Sequence, residues 1–180
     1  MVDASIEMKA IIFTFSIFML VGCQSETDRE RPTELDFMLG EWAAEAKIKV
    51  SPEDYITGVG TINAYYNGDT LMADMNIQFE EFDVVGVTKR LYNFEKEMWE
   101  ISWNPEEASE VVPNIEGKMR DNRFIELNFG EDQFGSFMGR LVIFDITKDH
   151  FSVRKDRLYD TGGLMKDIWV YEATRKPANR

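Results

Sequence analysis

Most of this chain alternates apolar and polar residues with the period of two that is typical of half-buried β-strands. The clearest run is GEWAAEAKIKV, where every second residue from Trp42 is apolar and the charged residues Glu45, Lys47 and Lys49 share the other face. Similar runs continue to Arg175, separated by turn sequences such as Asn67-Gly68. No segment between them has the length of a crossover helix. The pattern therefore predicts about nine or ten antiparallel strands, closed into an all-β, up-and-down barrel that leaves no exposed edge.

Two short departures from this period are also predicted. Residues 32–39 place Pro32 at a first-turn position and apolar residues at helical spacing, with Gly40 as a stop. This segment is expected to form a short N-terminal helical turn. Asn104-Pro105-Glu106-Glu107 has the composition of a capped helix start and predicts a second helical turn in a longer connection.

The first residues of the chain have a different pattern. Lys9 precedes an apolar run over residues 10–21, AIIFTFSIFMLV, which has the length of a signal-peptide core. A membrane-spanning helix needs about 20 apolar residues, so this run is too short to remain as an anchor. We therefore expect a signal peptide over residues 1–22, with Met8 as the natural start.

The residues that follow the apolar run resemble the lipobox of bacterial lipoproteins. Leu20, Val21 and Gly22 precede Cys23, the one cysteine of the chain. The resemblance implies cleavage before Cys23 and acylation of its thiol, which would anchor the protein to a membrane of the bacterial cell envelope. Gln24 in the next position favours the outer membrane under enterobacterial sorting rules. Residues 23–34, polar and charged at their start, are expected to be a lipidated flexible tether before a domain at 35–177.

Composition removes several classes of function. The net charge of −13 argues against binding to nucleic acid, which requires clustered Lys and Arg. With Cys23 used for lipid and His150 the one histidine, the chain offers no disulfide, no Cys–His or multi-histidine metal site and no cysteine nucleophile. We predict no cofactor and no metal, and the sequence identifies no protein partner.

The start of the domain, LDFMLGEW from Leu35, resembles uncharacterised lipocalin-like domains that open with L-x-F-x-x-G-x-W. Further positions match that family in order and spacing: Gly86, Tyr92, Trp99, Trp103, Gly117, Trp169, Tyr171 and Arg175. Asn93 departs from it, because the family usually has Asp there. The resemblance implies a barrel in which Arg175 on the last strand lies across Trp42 on the first, closing one end. The biochemical role of that family is not established, so the likeness implies a fold and no particular function.

Four residues form the candidate ligand site. Arg90 and Tyr92 share a face of one predicted strand, and Trp99 and Trp103 share a face of the next. If both faces point inward, they form an aromatic cup with one cation, suited to an apolar ligand that carries a carboxylate. The alternative is that these aromatic residues simply fill the barrel.

Three functions remain open at this point. A ligand-binding lipoprotein requires an accessible apolar cavity, whereas a structural or assembly lipoprotein requires a filled barrel with an exposed apolar patch. An enzyme requires inward-facing acids or bases with perturbed pKa values. Since the sequence contains no recognisable nucleophile–base pair, we favour a lipoprotein that binds a small apolar ligand, and an enzyme on the same fold is the least favoured of the three.

Overall fold

A computed structural model describes residues 30–106 and 112–177. A 3-10 helix at Asp36–Met38 precedes ten strands. The strands are β1 (Gly40–Lys49), β2 (Tyr55–Asn67), β3 (Thr70–Phe79), β4 (Asp83–Asn93), β5 (Met98–Pro105), β6 (Val112–Arg120), β7 (Arg123–Asp132), β8 (Gly135–Phe144), β9 (His150–Tyr159) and β10 (Leu164–Arg175). The predicted all-β fold with a short N-terminal helical turn is confirmed.

Every strand pairs antiparallel with its neighbours in sequence, and β1 also pairs with β10 to close the barrel. In that last pairing Trp42 lies opposite Arg175, and Ile48 lies opposite Trp169. Closure gives each strand two hydrogen-bonded neighbours, which removes the unpaired edge of an open sheet. The predicted up-and-down meander is therefore confirmed.

The two ends of the barrel differ. At the closed end the 3-10 helix lies against the start of β1, and the Trp42 Nε1 donates a hydrogen bond to the Met38 carbonyl at 2.6 Å. Leu35 and Met38 are buried there. The opposite end, called the open end below, is the end at which β1, β3, β5, β7 and β9 finish. This asymmetry determines where a molecule can enter the barrel.

The packed core fills the closed half. Its largest fully buried side chains are aromatic and aliphatic, and they come from strands on all sides of the barrel: Trp42, Trp99, Phe124, Phe151, Ile62, Leu71 and Ile143. Phe151 meets Trp42 edge to face, with ring centroids 4.8 Å apart. Contacts of this kind stabilise a core beyond the area that they bury.

The helical turn predicted from Asn104-Pro105 is wrong. Both residues belong to β5, and Pro105 lies opposite Gly86 on β4. Glu106 then donates its backbone N–H to Val85. Proline is tolerated at this position because the backbone N–H that pairs with β4 here is that of Glu106, so the N–H that Pro105 lacks is not needed for this pairing.

The predicted signal peptide over residues 1–22 and the lipidation site Cys23 lie outside the described residues. The predicted tether at 23–34 reaches into them: Arg31 stacks on Tyr66 with its guanidinium 3.6 Å from the ring centroid. Glu34 accepts a hydrogen bond from Trp99 Nε1 at 2.7 Å. Among the helices of the described ranges, none has the length and apolar character needed to cross a bilayer.

Candidate functional site

The open half of the barrel encloses a cavity of about 360 Å³. Most of its wall is apolar and comes from strands around the whole barrel: Ile48, Met75, Val84, Trp103, Ile115, Leu141, Ile168 and Trp169. Four charged residues also line it: Arg90, Glu126, Lys155 and Arg157. Cavities of roughly 300–1,000 Å³ with apolar walls and a few placed polar groups are typical of small-molecule sites.

An ion pair crosses the interior at the inner limit of the cavity. Arg90 on β4 donates through Nε and Nη2 to one carboxylate oxygen of Glu126, at 3.0 and 2.7 Å. Strands β5 and β6 separate β4 from β7, so the contact spans the barrel. The two residues are only 4% and 5% exposed. Burial of an ion pair to this extent destabilises the fold unless the remaining hydrogen-bonding groups of the two residues are satisfied.

The described residues alone do not satisfy all the hydrogen-bonding groups of this ion pair. The Nη1 of Arg90 is buried and has no hydrogen-bond partner among them. A buried guanidinium donor left unpaired costs on the order of 1–3 kcal/mol or more. An acceptor group on a bound molecule would remove that cost, which makes Arg90 the natural anchor of the site.

Tyr171 of β10 lies beside this pair. It is 5% exposed, and its ring packs near Trp169, with the two centroids 6.1 Å apart. Burial raises the pKa of its phenol, and the negative charge of Glu126 acts in the same direction while Arg90 opposes it. The hydroxyl is therefore neutral at any ordinary pH and can donate a hydrogen bond inside the cavity.

Two further basic residues line the cavity from β9. Arg157 donates to Asp132 at 2.7 Å, and its guanidinium lies 4.4 Å from the Phe137 ring centroid. Lys155 lies opposite Leu141 on one side and Trp169 on the other. Burial lowers the pKa of the Lys155 ammonium, and the charge of Arg157 lowers it further. The lining thus carries more positive than negative groups in a strongly acidic chain.

The structure divides the four sequence-predicted ligand residues between two places. Arg90 and Trp103 line the cavity. Tyr92 lies opposite Trp99 in the β4–β5 pairing, nearer the closed end, and their ring centroids are 5.4 Å apart. Trp99 is fully buried in the packed core. Aromatic side chains therefore fill the closed half of the barrel, and the cavity lies in the open half.

Sequence reasoning did not find Glu126, Lys155 or Tyr171 as site residues. Glu126 follows the buried Phe124 by two positions, so the strand period could have placed it inward. Lys155 lies within RKDR, a charged run that looks like a solvated surface. The strand period from the buried Phe151 and Val153 points it inward, but its place in the wall of a cavity is visible only once the pairing with β8 and β10 is known.

The residues predicted to close the barrel meet at the closed end. The Arg175 guanidinium lies 4.1 Å from the Trp42 ring centroid. It also donates to three backbone carbonyls, those of Leu39 at 2.6 Å, Phe37 at 3.0 Å and Lys148 at 2.7 Å. Neither side chain lines the cavity.

Comparison with known proteins supports the fold of this chain. Neither a protein-family model nor a curated protein matches the chain. A similar solved structure is the S-type phycobiliprotein lyase CPES from Guillardia theta, with a TM-score of 0.59 and 12% sequence identity. The alignment covers 83% of this chain and 96% of that one. Together with the ten-stranded closed barrel, this likeness supports the lipocalin-like fold that the sequence motifs predicted.

Proposed function

We propose that this protein binds a small, mainly apolar molecule with an anionic group, inside the open half of the barrel. The observation that carries the proposal is Arg90, a buried guanidinium with one donor unpaired, at the inner limit of an apolar cavity. A carboxylate is the group that best matches the guanidinium donors, because charge-assisted bonds are the strong ones in a dry site.

The remaining lining agrees with this chemistry. Arg157 adds positive charge along the cavity, Lys155 supplies an amine whose pKa is lowered by burial, and Tyr171 supplies a neutral hydroxyl. The apolar residues between them would contact the body of the ligand. The hollow half argues against the alternative of a structural lipoprotein with a filled barrel. The phycobiliprotein lyase, at 12% identity, shares the fold, so the proposal rests on the residues of this cavity.

The proposed setting is a bacterial cell envelope, with the outer membrane as the proposed site. Its support is the order of Lys9, the apolar run at 10–21 and Cys23, which resembles lipoprotein export signals. The lipid on Cys23 would hold the barrel near a membrane, where apolar ligands are concentrated. Binding and anchoring are independent parts of the proposal, and each has its own test.

The binding proposal is tested with a matched pair of ligands, dodecanoic acid and dodecanol. Each competes with the fluorescent probe 1-anilinonaphthalene-8-sulfonate for the protein, and the displacement gives its affinity. We expect the acid to bind roughly ten- to a hundredfold more tightly than the alcohol, because a charge-assisted hydrogen bond contributes about 1.5–3 kcal/mol.

The variant for this test removes both partners of the buried pair, Arg90→Met with Glu126→Leu. Removing Arg90 alone would leave a buried carboxylate unpaired and cost about 3–5 kcal/mol, whereas an apolar replacement of both is often nearly neutral. We expect the double variant to bind both ligands equally. Lys89→Met, at the exposed neighbouring position on β4, is the control and should keep the preference for the acid.

Two results would overturn the proposal. Failure of either ligand to bind the folded wild-type barrel would mean that the cavity does not admit apolar molecules of this size. A preference for the acid that survives in the double variant would mean that Arg90 does not recognise the carboxylate. Circular dichroism of each variant establishes that it is folded before its affinity is read.

A further inference from the structure

Lys155 is a lysine in the wall of an apolar cavity. The strand registers place it in a row of inward residues, between Leu141 of β8 and Trp169 of β10. Its neighbours in the wall are therefore an aliphatic and an aromatic side chain. This is an unusual environment for an ammonium group, which is strongly hydrated and normally stays at the surface.

Lys155 also lacks a counter-ion in the described part of the chain. The nearest acidic group in the lining, Glu126, is already held by Arg90 at 2.7 Å. Asp132 is held by Arg157, also at 2.7 Å. No ion pair or hydrogen bond joins the Lys155 amine to either carboxylate, or to another described side chain.

These surroundings favour the neutral amine. Burial lowers the pKa of Lys155, and the neighbouring positive charge of Arg157 adds to the effect, while Glu126 opposes it. An uncharged amine has a free electron pair and is a nucleophile. Desolvation and a neighbouring cation both activate a lysine in this way, because they lower its pKa. Ion pairs occupy the other charged groups of the cavity, so Lys155 is the group there that is free to react.

We propose that Lys155 captures apolar aldehydes that enter the barrel, forming an imine with them. This inference rests on the proposed function, since it requires that the cavity admits an apolar molecule. It goes further by naming a second class of ligand, a carbonyl compound, and a covalent mode of holding it. A ligand bound in this way would leave the barrel only after hydrolysis.

The reaction is a condensation and needs no oxidant or reductant. The Lys155 nitrogen attacks the carbonyl carbon, a C–N bond forms, and the carbonyl π electrons move to oxygen. One amine proton transfers to that oxygen and gives a carbinolamine. The nitrogen electron pair then forms the C=N bond while the hydroxyl leaves, and the second amine proton completes a water molecule. One amine and one aldehyde thus give one imine and one water.

The apolar walls favour the product. Water released inside the cavity has few polar partners there beyond Arg90, Glu126 and their neighbours, and a bound apolar chain would exclude more of it. An imine on an exposed lysine has no such protection and hydrolyses readily. The imine should therefore form faster at Lys155 than at the surface lysines, and it should also last longer there.

The test uses decanal as the probe and sodium cyanoborohydride to reduce any imine to a stable secondary amine. The full domain is incubated near neutral pH, and intact mass spectrometry counts the decyl groups that are added. Peptide mapping then locates them. We expect one decyl group, at Lys155, formed at least tenfold faster than at any other lysine. Its rate should level off at a lower pH than the rates of the surface lysines, whose ordinary pKa is about 10.4, because burial lowers the pKa of Lys155 and it loses its proton earlier.

Two variants control for folding and charge. Lys155→Met removes the amine and suits the apolar wall, whereas Lys155→Arg keeps a positive charge and removes the nucleophile. Both should lose the selective adduct. Lys89→Met, exposed on β4, should keep it. Excess dodecanoic acid should slow the reaction of the wild-type protein, since it competes for the same cavity.

The outcomes separate this inference from the proposed function. If dodecanoic acid binds and decanal gives only scattered, slow modification, the inference is wrong and the proposed function stands. If neither compound enters the barrel, both fail together. If Lys155 is modified selectively but the adduct forms equally fast in the presence of dodecanoic acid, the reaction does not occur in the ligand cavity and the inference is overturned.

Discussion

At the scale of single residues, Trp42 and Arg175 show how much of the closed end depends on one contact. Arg175 lies over the Trp42 ring and holds the carbonyls of Phe37 and Leu39, which flank the end of the 3-10 helix. The same guanidinium bonds Lys148, in the connection between β8 and β9. One side chain thus joins three separate segments of the chain.

Mutation of this pair tests its structural importance. Trp42→Ala should lower the free energy of unfolding by about 3–5 kcal/mol, because it leaves a cavity in a fully packed region. Arg175→Ala should lower it by about 2–4 kcal/mol through lost stacking and lost charged hydrogen bonds. Because the groups touch, the double variant should cost less than the sum of the two.

Denaturant melts of the two single variants and the double variant measure these values. Arg120→Ala is the matched control, since that arginine side chain is 81% exposed and should change the free energy of unfolding by no more than about 0.5 kcal/mol. Additive effects of Trp42→Ala and Arg175→Ala would show that the stacking contact contributes nothing to stability.

At the scale of elements, β2 depends on small residues at its inward positions. Its sequence carries Gly58 and Gly60 where the strand period points into the barrel. A Cβ atom at Gly60 would overlap the carbonyl oxygen of Asn76 on the neighbouring strand. At this position the backbone of β3 therefore occupies the space that a side chain on residue 60 would need.

Gly60→Ala should consequently destabilise the protein by about 1–3 kcal/mol, since the clash is with backbone and β2 must shift as a unit. Gly163→Ala is the control: the atoms nearest to an added Cβ there are 3.8 and 3.9 Å away. That substitution should leave the free energy of unfolding within about 1 kcal/mol of the wild type. Thermal melts of both variants decide the matter, and equal stability of the two would show that β2 tolerates a side chain at Gly60.

At the scale of the whole molecule, charge is distributed unevenly between surface and interior. The chain carries a net charge of −13, yet the cavity lining holds Arg90, Lys155 and Arg157 against a single acid, Glu126. The acidic surface favours solubility and gives no sign of a nucleic-acid partner. The basic interior is a local property that the overall composition conceals.

The proposed lipid anchor also belongs to this scale, because it would determine where the barrel works. Full-length protein produced in a bacterium that processes lipoproteins should begin at an acylated Cys23 when analysed by mass spectrometry, and it should fractionate with membranes. Cys23→Ser should abolish the acylation and release or stall the protein, while Ser25→Ala should behave as the wild type. Unmodified Cys23 within a full-length cytoplasmic chain would contradict the proposal.

Several features of this protein follow from local sequence alone. The period of two from Trp42 to Arg175 determined the strands and their faces, because the pleat of a strand sends successive side chains to opposite faces whatever surrounds it, and the short connections made those strands antiparallel. The motif match placed Trp42 and Arg175 on the first and last strands. The same local reading was wrong at Asn104-Pro105, where pairing with β4 overrode a turn-like composition.

The tertiary structure decided which inward residues pack and which surround a cavity. Tyr92 and Arg90 share one face of β4, yet the first contacts the closed core and the second borders the cavity. The Arg90–Glu126 pair joins residues on strands that are not neighbours, and Lys155 faces inward from a run that looks like surface. The alternation of residues along a strand determines whether a side chain points into the barrel. It does not determine how far along the barrel axis that side chain lies, because this depends on the registers of strands distant in sequence.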